Sequence, residues 1–373
     1  MDGNRALCLA LARPESMADR TAGEWSAVLA AARETSLLGA LWHRAQEAGL
    51  EARLPEPVAL HLEGAAWVAE RRVQALHWEL EELGRGMLTR MAPPVLLKGA
   101  AYVLAGLPNA RGRLANDIDL LFPEADVERA ESLLFFDGWS GAHHNDYDQR
   151  YYREWMHELP PLAHRQRGTT LDLHHNILPR TFRVQPDAER LRQQSVALPE
   201  PWRFRVLAPA HMVLHAMVHL FSETDWERGL RDVYDIHLLA THFAARDGDT
   251  FWDGLVAEAA ALEVTWLAQR AFWLCSRHLD TDIPSEVTRR LAASRGARRI
   301  NRASRWMFRH GSQTRAASST PLQDATARGL LFLRGHWLKM PPVLLARHLF
   351  YKAFLAEKDE EEEPRPEAER LGP

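Results

Sequence analysis

The sequence contains little cysteine and lacks long uncharged apolar runs. Cys8 and Cys275 are the only two thiols among 373 residues. Two cysteines so far apart indicate neither a disulfide framework nor a thiolate zinc site, and we expect a cytoplasmic protein. The apolar patch at residues 6–12 is too short for a signal peptide. No uncharged run reaches the ~20 residues that span a bilayer, so we expect no membrane span.

A basic excess is also missing. The formal net charge is −4 at pH 7, and the isoelectric point is about 6.5. Domains that bind nucleic acid through its phosphates usually carry a basic patch or stripe, so nucleic acid is not the partner we expect. With 46% hydrophobic residues, the chain can build a large core. Its length indicates two or three structural units.

The two ends of the sequence have helical periodicity, whereas the middle combines strand and helix patterns. We predict an α+β protein with four regions. They are an N-terminal helical region at residues 1–90, a small mixed-sheet core at 91–200, a C-terminal helical domain at 201–356 and an acidic tail at 357–373. The tail contains Glu360 to Glu363 in a row and is expected to be disordered.

The most informative stretch is residues 95–122, VLLKGAAYVLAGLPNARGRLANDIDLLF. An apolar run leads into Lys98-Gly99 and a short helix, and a turn then leads into a strand with Asp117 and Asp119. Side chains alternate along a strand, so these two carboxylates point to the same face. Neighbouring carboxylates repel each other unless a cation lies between them, and Mg²⁺ prefers such oxygen ligands. The stretch therefore predicts a divalent metal site.

This order of strand, glycine turn, helix and Asp-x-Asp strand resembles the DNA polymerase β-type nucleotidyltransferase superfamily. The Leu-Leu-Lys-Gly form, with Arg113 four residues before Asp117, is similar to a bacterial branch of largely uncharacterised nucleotidyltransferases. Lys98-Gly99 departs from the usual Gly-Ser or Gly-Gly pair. The resemblance implies that Asp117 and Asp119 bind Mg²⁺, with Mn²⁺ as an alternative. It also implies that Lys98 and Gly99 contact the nucleotide phosphates, and that Arg113 either contacts the nucleotide or pairs with an acidic ligand.

The resemblance further implies a third carboxylate on a later strand, and Asp172 fits it. Asp172 lies between Leu171 and Leu173, in a predicted strand at residues 169–174. We expect it to be the third metal ligand and the base that accepts the proton of the attacking hydroxyl. We predict a hairpin partner at residues 156–161, with the turn at residues 165–168. His174 would share the face of Asp172 and either bind the nucleotide or pack beside the site.

The C-terminal helices contribute two further candidate groups. Arg231 and Asp232 are expected either to line the nucleotide cleft or to join Asp235 in a buried ion-pair network. His211, His215 and His219 recur every four residues and therefore share one helix face. Packing of that helix is favoured over a zinc site, because no fourth ligand is evident nearby.

These features predict a metal-dependent nucleotidyltransferase. It would transfer a nucleoside monophosphate, AMP from ATP, to a hydroxyl of a small-molecule, peptide or protein acceptor and release pyrophosphate. A phosphotransferase that uses the same metal site is one alternative. A catalytically silent nucleotide-binding or scaffold protein is another.

Overall fold

The computed structural model describes residues 2–115, 117–141, 146–297, 300–316, 318–340 and 345. Most of the acidic C-terminal region, including the predicted disordered tail, lies outside these residues. No helix within the described ranges is long and apolar enough to cross a membrane.

The chain begins with a group of helices. These are α1 (Gly3–Ala12), α2 (Ala22–Glu34), α3 (Leu38–Glu47) and α4 (Glu56–Arg85). The helical pattern at residues 25–48 is divided in two, because Ser36 adopts a left-handed φ of 58° between α2 and α3. Thr21 and Glu24 form a capping box that fixes the start of α2.

A seven-stranded mixed sheet follows, which confirms the α+β prediction. Its strands are β1 (Val95–Leu97), β2 (Asp117–Leu121), β3 (Trp139–Gly141), β4 (Leu162–His164), β5 (Thr170–His174), β6 (Val196–Ala197) and β7 (Arg205–Val206). Their order across the sheet is β3-β4-β5-β2-β1-β7-β6. Central strand β2 is antiparallel to β1 and parallel to β5. All three residues of β1 are buried, as the apolar run predicted.

The predicted strand at residues 156–161 is wrong. The partner of β5 in the hairpin is β4, and in the earlier segment only Glu158 makes an isolated bridge, to His174. Pro160 and Pro161 have no N–H to donate to a strand ladder, which explains why pairing starts only after them. The turn at residues 165–168 is confirmed. A helix that the sequence analysis missed, α7 (Asp146–Trp155), precedes this segment.

Helices surround the sheet and form the C-terminal region. Those within the sheet region are α5 (Lys98–Leu104), α6 (Val127–Phe136) and α8 (Ala188–Gln193). The later ones are α9 (Pro209–Ser222), α10 (Gly229–Asp247), α11 (Asp249–Ala261), α12 (Thr265–Leu279), α13 (Ser285–Ala293), α14 (Arg302–Gly311) and α15 (Pro321–Lys339). The C-terminal region is therefore helical, as predicted. A cluster of buried apolar side chains extends from α1 to α15, and the division into domains stays a prediction.

Candidate active site

Lys98 lies where β1 ends and α5 begins. Its φ of 46° falls in the left-handed region, which side chains other than glycine seldom adopt. Such backbone strain persists only where the surroundings impose it, and it is concentrated at functional sites. The Lys98 Nζ lies 2.8 Å from Oδ1 of Asp119. The lysine of the Lys-Gly turn therefore faces the Asp-x-Asp strand.

Strand pairing brings Asp119 and Asp172 together. β2 and β5 are parallel, and Asp119 is the register partner of Asp172. Side chains of register partners point to the same face of a sheet, so the two carboxylates are neighbours. Leu171 and Leu173 point to the opposite face and are fully buried. Their burial fixes the register, because a shift of one residue would bury Asp172 in the core.

His174 lies on the same face as Asp172 and between two carboxylates. Its Nε2 is 2.9 Å from Oδ1 of Asp119, and its Nδ1 is 3.3 Å from Oε2 of Glu158. The His157 ring lies beside it, with the ring centroids 5.3 Å apart. Sequence analysis missed Glu158 and His157. No local sequence pattern marks either residue as part of the site, because only the bridge to His174 brings their segment there.

The charges around Asp119 decide its ionisation. Burial alone would raise the pKa of Asp119, but Lys98 and His174 outweigh it and hold the pKa well below its usual range. For Asp172 the balance is opposite: burial, followed by the charge of Asp119, raises its pKa to about 7. Burial would lower the pKa of His174, but Asp119 and Glu158 raise it. One carboxylate is thus strongly ionised and its neighbour is poised near neutrality.

The donor atoms fit a divalent cation. Ligand atoms of Asp119, Asp172 and His174 all lie within 4.8 Å of one another. Within the described part of the chain, Oδ2 of Asp119 and Oδ1 of Asp172 are buried without a hydrogen-bond partner. Buried carboxylate oxygens are costly unless a donor or a metal satisfies them. These two unsatisfied oxygens therefore support a cation between β2 and β5.

Asp117 is placed differently from Asp119. It is exposed at the start of β2, and neither of the two metal-ligand groups formed by described residues includes it. The second of those groups consists of His157, Glu158 and His174. The pairing of Asp117 with Asp119 at a metal stays a prediction.

Gly99 and Arg113, the other two residues predicted to contact phosphate, both have close neighbours in the fold. Gly99 is buried in the first turn of α5, where an added Cβ would lie 3.3 Å from Cβ of Ala115. The Arg113 side chain forms an ion pair with Asp235 and lies over the Tyr102 ring, 5.5 Å from its centroid. In this structure Arg113 therefore joins the turn before β2 to α10.

Arg231 and Asp232 belong to a network on α10. Arg231 Nη2 is 2.7 Å from Asp232 Oδ1, and His219 Nδ1 is 3.4 Å from Asp232 Oδ2. Asn109 reaches Asp235 at 3.5 Å. Asp232 thus pairs with Arg231 and His219, whereas Asp235 pairs with Arg113 and Asn109. A single network of Arg231, Asp232 and Asp235, and nucleotide contact by Arg231 and Asp232, stay predictions.

The three α9 histidines do not converge. His211 Nε2 contacts Glu258 at 2.7 Å, whereas His219 contacts Asp232. His215 is buried, and burial followed by the charge of Lys98 lowers its pKa well below its usual value. No metal-ligand group of the described residues contains any of them. This agrees with packing of α9 and gives no support to zinc.

Comparison of the sequence with known proteins identifies a family. A sequence model described as "Uncharacterised nucleotidyltransferase" matches residues 21–280, which is more than half of the chain and includes every site residue named above. Searches of curated proteins and of solved structures found no match. The chain therefore belongs to the family of uncharacterised nucleotidyltransferases.

Proposed function

We propose that this protein is a divalent-metal-dependent nucleotidyltransferase of the DNA polymerase β type. It transfers AMP from ATP to a hydroxyl of an acceptor and releases pyrophosphate. The observation that carries the proposal is the pair Asp119 and Asp172, adjacent across two parallel strands, with one unsatisfied buried oxygen each.

Asp119 and Asp172 would hold the ion, with Asp117 at the open end of the same face. When bound, a divalent ion of this kind neutralises phosphate charge and stabilises the leaving pyrophosphate. Mg²⁺ suits the two carboxylates, and Mn²⁺ is also compatible with them. The Lys98 ammonium has three donor hydrogens and uses one on Asp119, so it can also contact a phosphate oxygen.

The chemistry is an in-line substitution at the α-phosphorus. A bond forms between the acceptor oxygen and the α-phosphorus, the bond to the bridging oxygen of the β-phosphate breaks, and pyrophosphate leaves with that oxygen. The hydroxyl proton passes to Asp172. Its position suits it to this role, because Asp172 lies in register with Asp119 on the same face of the sheet.

The acceptor belongs to the hydroxyl-bearing small molecules, peptides or proteins. A cavity of about 250 Å³ is lined by Glu158, which contacts His174, and by Tyr152, His175 and Arg180 among others. It is large enough for a side chain or a sugar ring and offers both signs of charge. The net charge of −4 argues against nucleic acid.

The test begins with binding. We expect a nonhydrolysable ATP analogue and Mg²⁺ to bind together in calorimetry, and Asp119→Asn and Asp172→Asn to abolish the metal-dependent part. Asp249→Asn, an exposed carboxylate in the first turn of α11, is the matched control and should bind like the wild type. Unchanged metal-dependent binding in both active-site variants would refute the metal centre.

Labelled ATP then identifies the reaction. With the protein and a mixture of hydroxyl acceptors, label from the α-phosphate should reach an acceptor, whereas label from the γ-phosphate should leave as pyrophosphate. The reverse pattern would establish the phosphotransferase alternative.

One observation favours a second candidate, a nucleotide-binding protein without catalysis. Lys98 and His174 already contact Asp119, so its negative charge is compensated without an ion. Under this candidate, the ATP analogue binds with the same affinity in EDTA and in Mg²⁺, and no label is transferred.

A further inference from the structure

The position of His174 suggests more than packing. The imidazole is buried, with 1% of the residue exposed, and each ring nitrogen faces a carboxylate. Nε2 faces Asp119 on the side of the unsatisfied carboxylate oxygens, and Nδ1 faces Glu158. The two acids compensate the burial of the imidazole, and ligand atoms of Asp119, Asp172 and His174 lie within 4.8 Å of one another, as the ligands of one ion would.

Glu158 faces the ring nitrogen of His174 that does not contact Asp119. In a neutral imidazole one nitrogen bears the proton and the other has a free lone pair. Nε2 donates to Oδ1 of Asp119 in this structure, and Nδ1, 3.3 Å from Oε2 of Glu158, has no hydrogen-bond partner among the described residues. An ion that displaces the Asp119 contact would meet the Nε2 lone pair when the proton lies on Nδ1, where Glu158 is placed to accept it. Metal-ligating histidines almost always have such an outer partner, which fixes both tautomer and ring orientation.

The backbone holds Glu158 in place for this role. The N–H of Leu159 donates to the carbonyl of Leu173 at 2.9 Å, and the N–H of His175 donates to the carbonyl of His157 at 2.8 Å. These bonds tie the segment to β5 on both sides of the Glu158–His174 bridge. The position of the Glu158 backbone beside His174 is therefore set by the fold.

We propose that Nε2 of His174 is the third ligand of the metal ion at Asp119 and Asp172, that Glu158 is its positioning residue, and that the site consequently prefers Mn²⁺ to Mg²⁺. This rests on the proposed metal centre. Mg²⁺ takes oxygen ligands and is seldom bound by imidazole, whereas transition ions accept a mixed nitrogen and oxygen set.

The experiment measures Mn²⁺ bound to the full chain by electron paramagnetic resonance, with and without a nonhydrolysable ATP analogue. Pulsed measurements detect a histidine nitrogen bonded directly to the ion. We expect that nitrogen coupling in the wild type and its loss in His174→Gln. The glutamine amide can still donate to Asp119, so a role limited to hydrogen bonding would be preserved. His175→Gln is the matched control, because Nε2 of His175 instead contacts the carbonyl of Met156.

Measured affinities for Mn²⁺ and Mg²⁺ test the preference for Mn²⁺ and the role of Glu158. We expect His174→Gln to lower the ratio of Mn²⁺ to Mg²⁺ affinity by about tenfold or more. Glu158→Gln should weaken Mn²⁺ binding by about 10- to 100-fold while the nitrogen coupling remains. Glu128→Gln removes a charge from the same cavity without touching His174, and it should bind Mn²⁺ like the wild type.

The outcomes separate this inference from the proposed function. Stoichiometric Mn²⁺ at Asp119 and Asp172 without nitrogen coupling in the wild type would overturn the inference and leave the nucleotidyltransferase proposal intact. Coupling that survives in His174→Gln would also overturn it. No binding of Mn²⁺ under either condition would overturn both. Circular dichroism and thermal melts verify that each variant is folded before it is counted.

Discussion

Lys98 combines a strained backbone with a nearly buried charge pair. Its left-handed φ turns the chain from β1 into α5 and directs the ammonium at Asp119. Burial would lower the pKa of Lys98, but Asp119 outweighs it and raises the pKa, so the lysine stays charged. The pair keeps Asp119, which is 1% exposed, from being an isolated buried charge.

Removing that partner should destabilise the fold in a way that a metal can repair. Breaking a buried ion pair costs about 3–5 kcal/mol, and His174 still supports Asp119, so we expect about 3 kcal/mol for Lys98→Met in EDTA. Mn²⁺ should restore part of the loss, because it supplies the missing positive charge. Urea unfolding with EDTA and with Mn²⁺ measures both effects.

Arg111→Met is the comparison variant for Lys98→Met. Arg111 pairs with Glu47 at the surface with 64% of its side chain exposed, so a change within about 0.5 kcal/mol is expected. If Mn²⁺ stabilises Lys98→Met no more than the wild type, the ion does not bind next to Asp119.

Among the elements, α4 is tied to the β4–β5 hairpin by one acidic side chain. Glu79 is 2% exposed, and both its oxygens accept from Arg167 Nε at 2.9 Å. Arg167 Nη2 also donates to Glu79, and Thr169 Oγ1 adds a third donor at 3.0 Å. The Arg167 guanidinium also lies over the rings of Trp78 and Trp139. Thus the N-terminal helices stabilise the hairpin whose second strand carries Asp172.

Loss of this contact should weaken the hairpin. Glu79→Ala leaves Arg167 without its carboxylate, and we expect a loss of about 3 kcal/mol in urea unfolding. Glu82→Ala on the same helix removes only a surface pair with Arg85, so a change below about 1 kcal/mol is expected. Hydrogen exchange of the β4 and β5 amides should accelerate in Glu79→Ala alone. Equal exchange in both variants would contradict a link between α4 and the hairpin.

For the whole molecule, buried histidines make stability depend on pH. Burial lowers the pKa of both His237 and His278 to about 4, from an ordinary value of 6.5. Between pH 6.5 and 4, these two histidines therefore bind protons in the unfolded chain but stay neutral in the folded chain. Stability is complete above pH 6.5 and is lost as the pH falls towards 4, by about 3 kcal/mol for each histidine.

Replacing one of these histidines should make the unfolding free energy depend less on pH. In His278→Gln, the fall in unfolding free energy between pH 6.5 and 4 should be smaller than in the wild type by about 3 kcal/mol. Urea titrations at several pH values measure it, and His43→Gln, a histidine near the surface of α3, should keep the wild-type slope. An unchanged slope in His278→Gln would mean that this ring is protonated in the folded chain at acidic pH.

Local sequence predicted the type of most elements and part of the site. Apolar spacing predicted the helical ends, and the buried run before Lys98 predicted β1. The predicted strand around Asp172 is confirmed. α7 and the start of β4 were missed, because a polar, aromatic segment followed by two prolines has no clear period.

The sequence by itself indicated Asp119 and Asp172 as candidate cation ligands, since strand alternation and neighbouring apolar residues are local properties. Only the tertiary structure decided which of them meet. The parallel register of β2 and β5 joins Asp119 to Asp172, and the bridge to His174 adds Glu158. Strand register and the partners of buried polar groups depend on contacts between residues far apart in sequence. No short stretch of residues encodes them, and packing of the whole sheet fixes them.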